Sequence, residues 1–334
     1  FKYKLKDEIH DNNFFIEELT NEQSEILEGT HKNWETLWCE GPAGSGKTVI
    51  AIKKFIYEYS KQDQKRFLFL CKNVKISEKI SEKIENEITD KDKNYRFIGT
   101  FDKFCKDILV KNNDDLDFKN LDESYSKVFD YCENEKKFDV IVVDESQDFS
   151  PISWTILENI RATDSIFWIF GDSNQKIWNH AKPEIKNINP QSVYLPHILR
   201  NSQTIAKKSL SFFDGGGHNI RLDGPISNKF EIIASDSFAN EIKKIHKKLR
   251  FEGVENESIV MLSSDKNLKK ELSSINSSSI FRFKGMEADC VIFVIEDLEK
   301  YKPEHLYVGI TRAKTFLNIL CLPKDKNMIE KMLI

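Results

Sequence analysis

The 334 residues contain no Cys-x-x-Cys and no His-Glu-x-x-His, although six cysteines and seven histidines are present. That scatter removes the ligand spacing of a structural or hydrolytic zinc site. Cys39, Cys71, Cys105, Cys132, Cys290 and Cys321 mostly lie in or beside apolar runs, which reads as buried free thiols in a reducing cytosol. No apolar run approaches the ~20 residues of a membrane-spanning helix. The start has no secretion-signal pattern, so a cytoplasmic location is the expectation. A dominant charge is missing too: 50 basic against 54 acidic residues leave a net charge of −4. Without a global positive field, contact with a polynucleotide must come from a local groove. An initiating methionine is also absent, since residue 1 is Phe, which points to a piece of a longer chain.

What is present fits a folded enzyme, with 40% apolar and 31% charged residues. The length favours two lobes over one core. Residues 1–18 mix charge and aromatics without period, as a linker or a frayed terminus would. From Leu19 the pattern is regular. "WETLWCE", "RFLFLC", "YRFIG", "FDVIVVD" and "IFWIFGD" read as buried strands, alternating with helical stretches such as "KTVIAIKKFIYEY" and "VKISEKISEKI". Alternation of this kind predicts an α/β fold with a mainly parallel sheet flanked by helices. Asp214-Gly215-Gly216-Gly217 punctuates the chain, so a first lobe over 19–213 and a second over 214–334 are expected. "KFEIIAS", "SIVMLS", "DCVIFVI" and "FLNILC" are the second lobe's strands, and the serine-rich "SSINSSSI" reads as a loop entering a strand. "FANEIKKIHKKLR" puts Ile242, Ile245 and Leu249 on one stripe and five basic residues opposite, a solvated face or a phosphate contact.

The chemistry begins at Gly41-Pro42-Ala43-Gly44-Ser45-Gly46-Lys47-Thr48, a G-x-x-x-x-G-K-[ST] loop between a predicted strand and a predicted helix. Its glycines let backbone N–H groups surround phosphates, with Lys47 for the β- and γ-phosphates of ATP and Thr48 for Mg²⁺. The strand "FDVIVVD" ends in Asp144, placed to hold Mg²⁺, followed by Glu145, placed to take a proton from the attacking water. Four apolar residues ahead of them, with the glycine loop upstream, weigh against reading them as ordinary surface acids at a strand end. Gln175 follows "IFGD" and is placed to sense the γ-phosphate or the water. Arg200 and Arg312, one near the end of each expected lobe, are candidates to clamp charge developing on the transferred phosphoryl group.

Together these residues resemble a superfamily 1 helicase of the UvrD/Rep type, in that family's motif order from about Leu19 to Cys321. "LTNEQSEIL" resembles the Q motif, which implies adenine contact by Gln23. "GPAGSGKT", "VVDESQD", "FGDSNQKIW" and "LYVGITRAK" resemble motifs I, II, III and VI, and "LPHILRNSQTI" resembles motif IV. "FRFKGMEADCVIFV" resembles motif V, which implies a ribose contact by Glu287. The resemblance implies two RecA-like lobes without large accessory subdomains, since 106–138 and 201–278 leave little room for them. It also implies single-stranded nucleic acid, most simply DNA, touched by Asn73 ("LCKN"), Thr100 ("GTFDKFC") and Trp178 as a stacking face. Three positions depart from the family: Lys72 replaces an aromatic, Leu199 replaces a tyrosine, and Ser279-Ile280-Phe281 stands where Thr-x-His is usual. Two functions follow as expectations: an ATP-dependent translocase or helicase, or a nucleotide-gated module controlling a fused or partner nuclease, for instance in antiphage defence.

Overall fold

The computed structural model describes residues 4–16, 21–28, 35–61, 65–88, 95–175, 190–214 and 217–333. They form two compact units, one of residues 20–41 and 46–195, the other of residues 1–19, 42–45 and 196–334.

The first unit is built on a sheet of β1 (Thr36–Glu40), β2 (Phe67–Cys71), β3 (Arg96–Thr100), β4 (Phe138–Val143), β5 (Arg161–Gly171) and β6 (Gln191–Tyr194). All pairings are parallel, and the strand order is β3-β2-β4-β5-β1-β6. Strands covered on both faces need apolar side chains on both, and every residue of β2 is buried. Beneath lies an aromatic core that includes Trp38, Phe101, Phe149 and Trp154, with Trp38 and Trp154 centroids 5.8 Å apart. The register matters for function. Pairing of β1 with β5 (Glu40↔Gly171) and of β4 with β5 (Val143↔Ile169) brings three strand ends to one edge. An open α/β sheet binds its ligands at such carboxyl ends.

The second unit carries β7 (His197–Ile198) paired with β8 (Arg221–Leu222), and a main sheet of β9 (Phe230–Ala234), β10 (Ile259–Leu262), β11 (Ser277–Ser278), β12 (Ala288–Ile295) and β13 (Ala313–Cys321). The main sheet is parallel, in the order β11-β10-β12-β13-β9. Alternation along β12 sends Val291, Phe293 and Ile295 into one core and Cys290, Ile292 and Val294 into the other. All six cysteines are buried free thiols.

Several sequence expectations change. Residues 196–213 belong to the second unit, not the first, because Ser202 N–H donates to Lys314 O (2.7 Å) and Ile205 packs in the core with β12 and β13. Among its described residues the N-terminal segment is not frayed. Leu5–Ile16 is a helix whose Leu5 and Ile9 are buried with Ile242, Ile245 and Leu249. Its Asn12 donates to Thr315 Oγ1 (3.1 Å), and Asn13 joins the Lys314–Asp289 pair (2.6 Å). The serine-rich stretch contains the edge strand β11 and leads into the short helix Ile280–Phe283, not a strand. The basic face of Phe238–Phe251 matches a solvated surface: Lys243 pairs with Glu271 and Lys244 with Glu241.

One carboxylate of this unit gives a pH prediction. Glu296 is pushed upward by burial, but the hydroxyl of Ser263, the N–H groups of Ser264 and Asp265, and the Tyr301 hydroxyl donate to it and hold it below its ordinary value. A lowered pKa adds stability above the unfolded value of 4.5, and this is lost as pH falls through the folded value. Glu296→Gln is therefore expected to lower the thermal midpoint at pH 7 by the equivalent of about 1–3 kcal/mol. The gap from wild type should narrow as pH falls below 4.5 and close only below the folded value. A gap independent of pH would mean that the lost interaction is not ionic.

Candidate nucleotide site

The loop after β1 shows why its glycines are needed. Gly44 and Gly46 have φ of 81° and 85°, where L side chains are strained. A Cβ on Gly46 would also stand 2.2 Å from Gln23 Nε2. Gln23, buried on the helix Asn21–Glu28, thus packs on the loop itself. The helix Lys47–Ser60 starts at Gly46 with no side-chain cap, which leaves its first N–H groups for an anion. Lys47 Nζ donates to Gly41 O at 2.8 Å.

Thr48 Oγ1 donates to Asp144 Oδ2 at 2.7 Å. Asp144 is 1% exposed, and its carboxyl is pushed up to about 7 by burial and by the neighbouring Glu145 charge, against the pull of Thr48 and Lys47. A buried carboxylate held this high is short of positive charge, so the pair fits Mg²⁺. Mg²⁺ keeps several waters and is held by one or two protein groups plus phosphate oxygens. Among the described residues no cluster of three or more His, Cys, Asp and Glu is placed to cage a metal unaided.

Beyond Asp144 the chain turns sharply. Glu145 has φ 54°, a left-handed conformation rare outside glycine. Its Oε2 accepts from Gln147 Nε2 at 2.5 Å, and Gln147 Oε1 accepts from Asp172 N–H at 3.1 Å. Gln175, 3% exposed, donates through Nε2 to Asp172 Oδ2 at 2.9 Å. Gln147 stands inside the motif "VVDESQD", but the sequence alone gives it no role, since its partner Asp172 N–H is 25 positions away.

Arg200, Glu287 and Arg312 all lie in the second unit, so the two arginines do not come one from each lobe. Arg200 pairs with Glu287 Oε2 (2.6 Å) and donates to Thr311 O (3.0 Å), while its buried Nε has no hydrogen-bond partner. Arg312 is 1% exposed and donates to Val308 O (3.0 Å), Met286 O (3.1 Å) and Thr311 Oγ1 (3.0 Å). Residues 42–45 of the phosphate loop fall in this unit as well: the N–H groups of Leu199 and Arg200 donate to Gly44 O (3.0 and 3.3 Å). Ser45 is buried beside them.

The expected nucleic-acid residues do local work. Asn73 accepts from Lys75 and Ile76 N–H as the N-cap of Val74–Glu87. Thr100 accepts from Lys103 N–H as the N-cap of Phe101–Lys111. Capping uses their acceptors, whereas a hydroxyl and an amide also carry donors. Lys72 bonds Asp102 (3.0 Å) and Tyr125 (3.2 Å) and lies 4.8 Å from the Phe101 ring centroid, so its charge is spent on an ion pair. Phe281 is 45% exposed, edge-on to His305. Trp178 lies outside the described residues.

Comparison with known proteins bears on the family and the fold. Residues 15–166 match the family described as type III restriction enzyme, res subunit, and residues 275–320 match the UvrD-like helicase C-terminal domain. Among solved structures, the chain is similar to arterivirus nonstructural protein 10 (helicase), determined in complex with DNA. The TM-score is 0.52 and the identity 12%, over 95% of this chain and 67% of that one. No curated protein matches. The first match spans β1 to β4 with Lys47 and Asp144, and the second spans β12 with Glu287 and Arg312. A match to the res-subunit family over most of the first parallel sheet, and one to the UvrD-like helicase C-terminal domain within the second, together support an ATP-hydrolysing helicase.

Proposed function

We propose that the chain is an ATP- and Mg²⁺-dependent translocase or helicase acting on single-stranded nucleic acid, DNA in the first place, and that hydrolysis is coupled to closure of its two lobes. The observation that carries this reading is the Thr48–Asp144 bond at the mouth of the glycine loop, beside Lys47. In this reading the loop N–H groups and Lys47 take the β- and γ-phosphates. Thr48 and Asp144 hold Mg²⁺, which neutralises phosphate charge when bound. Glu145 receives the proton of the attacking water, Gln175 reports the γ-phosphate, and Arg200 and Arg312 stabilise the charge that develops on it. Gln23 and Glu287 contact the nucleoside. Thr100, Asn73 and Trp178 lie along the strand. That the solved neighbour carries DNA supports the choice of polymer.

ATP turnover is therefore expected to rise with single-stranded oligonucleotide. The oligonucleotide concentration needed for half-stimulation should climb steeply with salt, because each neutralised phosphate releases a counterion, with a log–log slope near +0.7 per contact. Phosphate release measured against oligonucleotide at several salt concentrations tests this. Turnover indifferent to single-stranded DNA and RNA would overturn the reading.

A further inference from the structure

Glu145 has a difficult place to hold. Its backbone is left-handed at φ 54°, and its side chain leaves β4 at a sharp turn that closes through Asp148 N–H to Glu145 O (3.0 Å). A carboxylate on a free rotor there would spend most of its time misaligned, and a misplacement of about 1 Å can cost a hundredfold in rate.

One side chain removes that freedom. Gln147 Nε2 donates to Glu145 Oε2 (2.5 Å), while the other end of the same amide accepts from Asp172 N–H (3.1 Å). The amide orientation follows from its partners: a backbone N–H can only meet the oxygen, which leaves the NH₂ for the carboxylate. Asp172 is itself fixed, 2% exposed, with Oδ1 accepting from Asn174 N–H (3.0 Å) and Oδ2 from Gln175 Nε2 (2.9 Å). Two strand ends must approach closely for this bridge to form, and Gly171 allows it. A Cβ there would stand 2.2 Å from Ser146 Oγ and 3.2 Å from Gln147 Oε1. The chain Glu145–Gln147–Asp172–Gln175 thus runs without a gap from the end of β4 to the turn after β5.

We propose that Gln147 is a positioning residue for ATP hydrolysis: its amide holds the Glu145 carboxylate in one orientation and ties that orientation to the turn bearing Gln175. The inference rests on the reading of Glu145 as the group that accepts the water proton. Gln147 touches neither nucleotide nor water in this scheme, so its loss changes turnover rather than ATP binding.

The test uses the whole chain and phosphate release from ATP, with and without single-stranded oligonucleotide. Gln147→Leu removes both bonds. Gln147→Glu keeps the shape and the acceptor for Asp172 N–H but has no N–H for Glu145. Both variants are expected to lower kcat about ten- to a hundredfold, with KM for ATP within about twofold of wild type. In a Glu145→Gln background, followed by single-turnover measurement over hours, Gln147→Leu is expected to add no further loss, because the two residues act as one unit. If Gln147→Leu fails to fold, the isosteric Gln147→Glu decides. Wild-type kcat in Gln147→Glu would mean that the amide only braces the Asp172 turn, and the proposal falls. Losses that multiply in the double variant would overturn it equally. Wild-type turnover in Glu145→Gln alone is a separate result: it removes the base from Glu145 and leaves Gln147 nothing to position.

Discussion

Lys47→Ala is expected to reduce ATP turnover at least about a thousandfold, with or without oligonucleotide, while leaving the protein folded. The two halves of that expectation have different physical origins. Lys47 is half-buried and donates a hydrogen bond to Gly41 O at 2.8 Å. Losing one such bond at a partly solvated site costs about 1 kcal/mol, and the neighbouring helix keeps Ile50, Ala51 and Phe55 in the core. The thermal midpoint should barely move. In the proposed function the same ammonium meets the β- and γ-phosphates of ATP, and the charge it would meet grows as the bond to the γ-phosphorus breaks. Uncharged N–H groups of the glycine loop remain in the variant but supply no full charge. Lys47→Arg is a sharper probe: the charge survives, yet a planar fork cannot occupy the position of a point-like ammonium. It too should be nearly inactive. Undiminished turnover in either variant, in protein shown free of contaminating ATPase, would mean that hydrolysis happens elsewhere.

Much of this site was legible in the sequence because its geometry is local. Four apolar residues ahead of Asp144 force a buried strand, and a buried parallel strand can only deliver its last residue to one edge of the sheet. Gly44 and Gly46 are needed at φ above 80°, which the glycine spacing announces. Other features were hidden because they depend on tertiary partners. The helix Leu5–Ile16 has few apolar residues and an asparagine pair, so its periodicity is weak. Its place is fixed by Thr315, Lys314 and Asp289, some 300 positions away in the chain. Arg200 looked like part of the first lobe because the glycine run at 214–217 is the stronger punctuation, yet Ser202 and Ile205 anchor its segment to β13 and its neighbours. Gln147 stands in the legible stretch "VVDESQD", but its role was hidden for the opposite reason. Its neighbours in sequence are legible, but its role depends on an N–H of β5's turn that no spacing rule connects to it.

The second large effect is expected at Arg312, and the structure makes it a harder experiment than the sequence suggests. An arginine that stabilises a transferring phosphoryl group is worth about 10³–10⁵ in rate, so Arg312→Ala should be close to inactive. But Arg312 is 1% exposed and satisfies the carbonyls of Val308 and Met286. Alanine would take the Arg312 donor from Met286 O, at about 1–3 kcal/mol if that oxygen is left unsatisfied, whereas Val308 O keeps the Thr311 hydroxyl (3.1 Å). Lost activity alone would then not distinguish chemistry from unfolding. Arg312→Lys separates them. An ammonium keeps the charge and one of the carbonyl bonds, so the thermal midpoint should recover much of the loss seen with alanine. Turnover should stay depressed at least a hundredfold, since the forked donor geometry is gone. Arg200 offers the internal comparison: its Nε is unpartnered and its pair with Glu287 is partly solvated, so Arg200→Lys should cost little stability. If Arg312→Lys recovers turnover in step with its thermal midpoint while Arg200→Lys stays inactive, Arg312 is a brace for the helix Pro303–Thr311 and the phosphoryl-stabilising charge belongs to Arg200 alone.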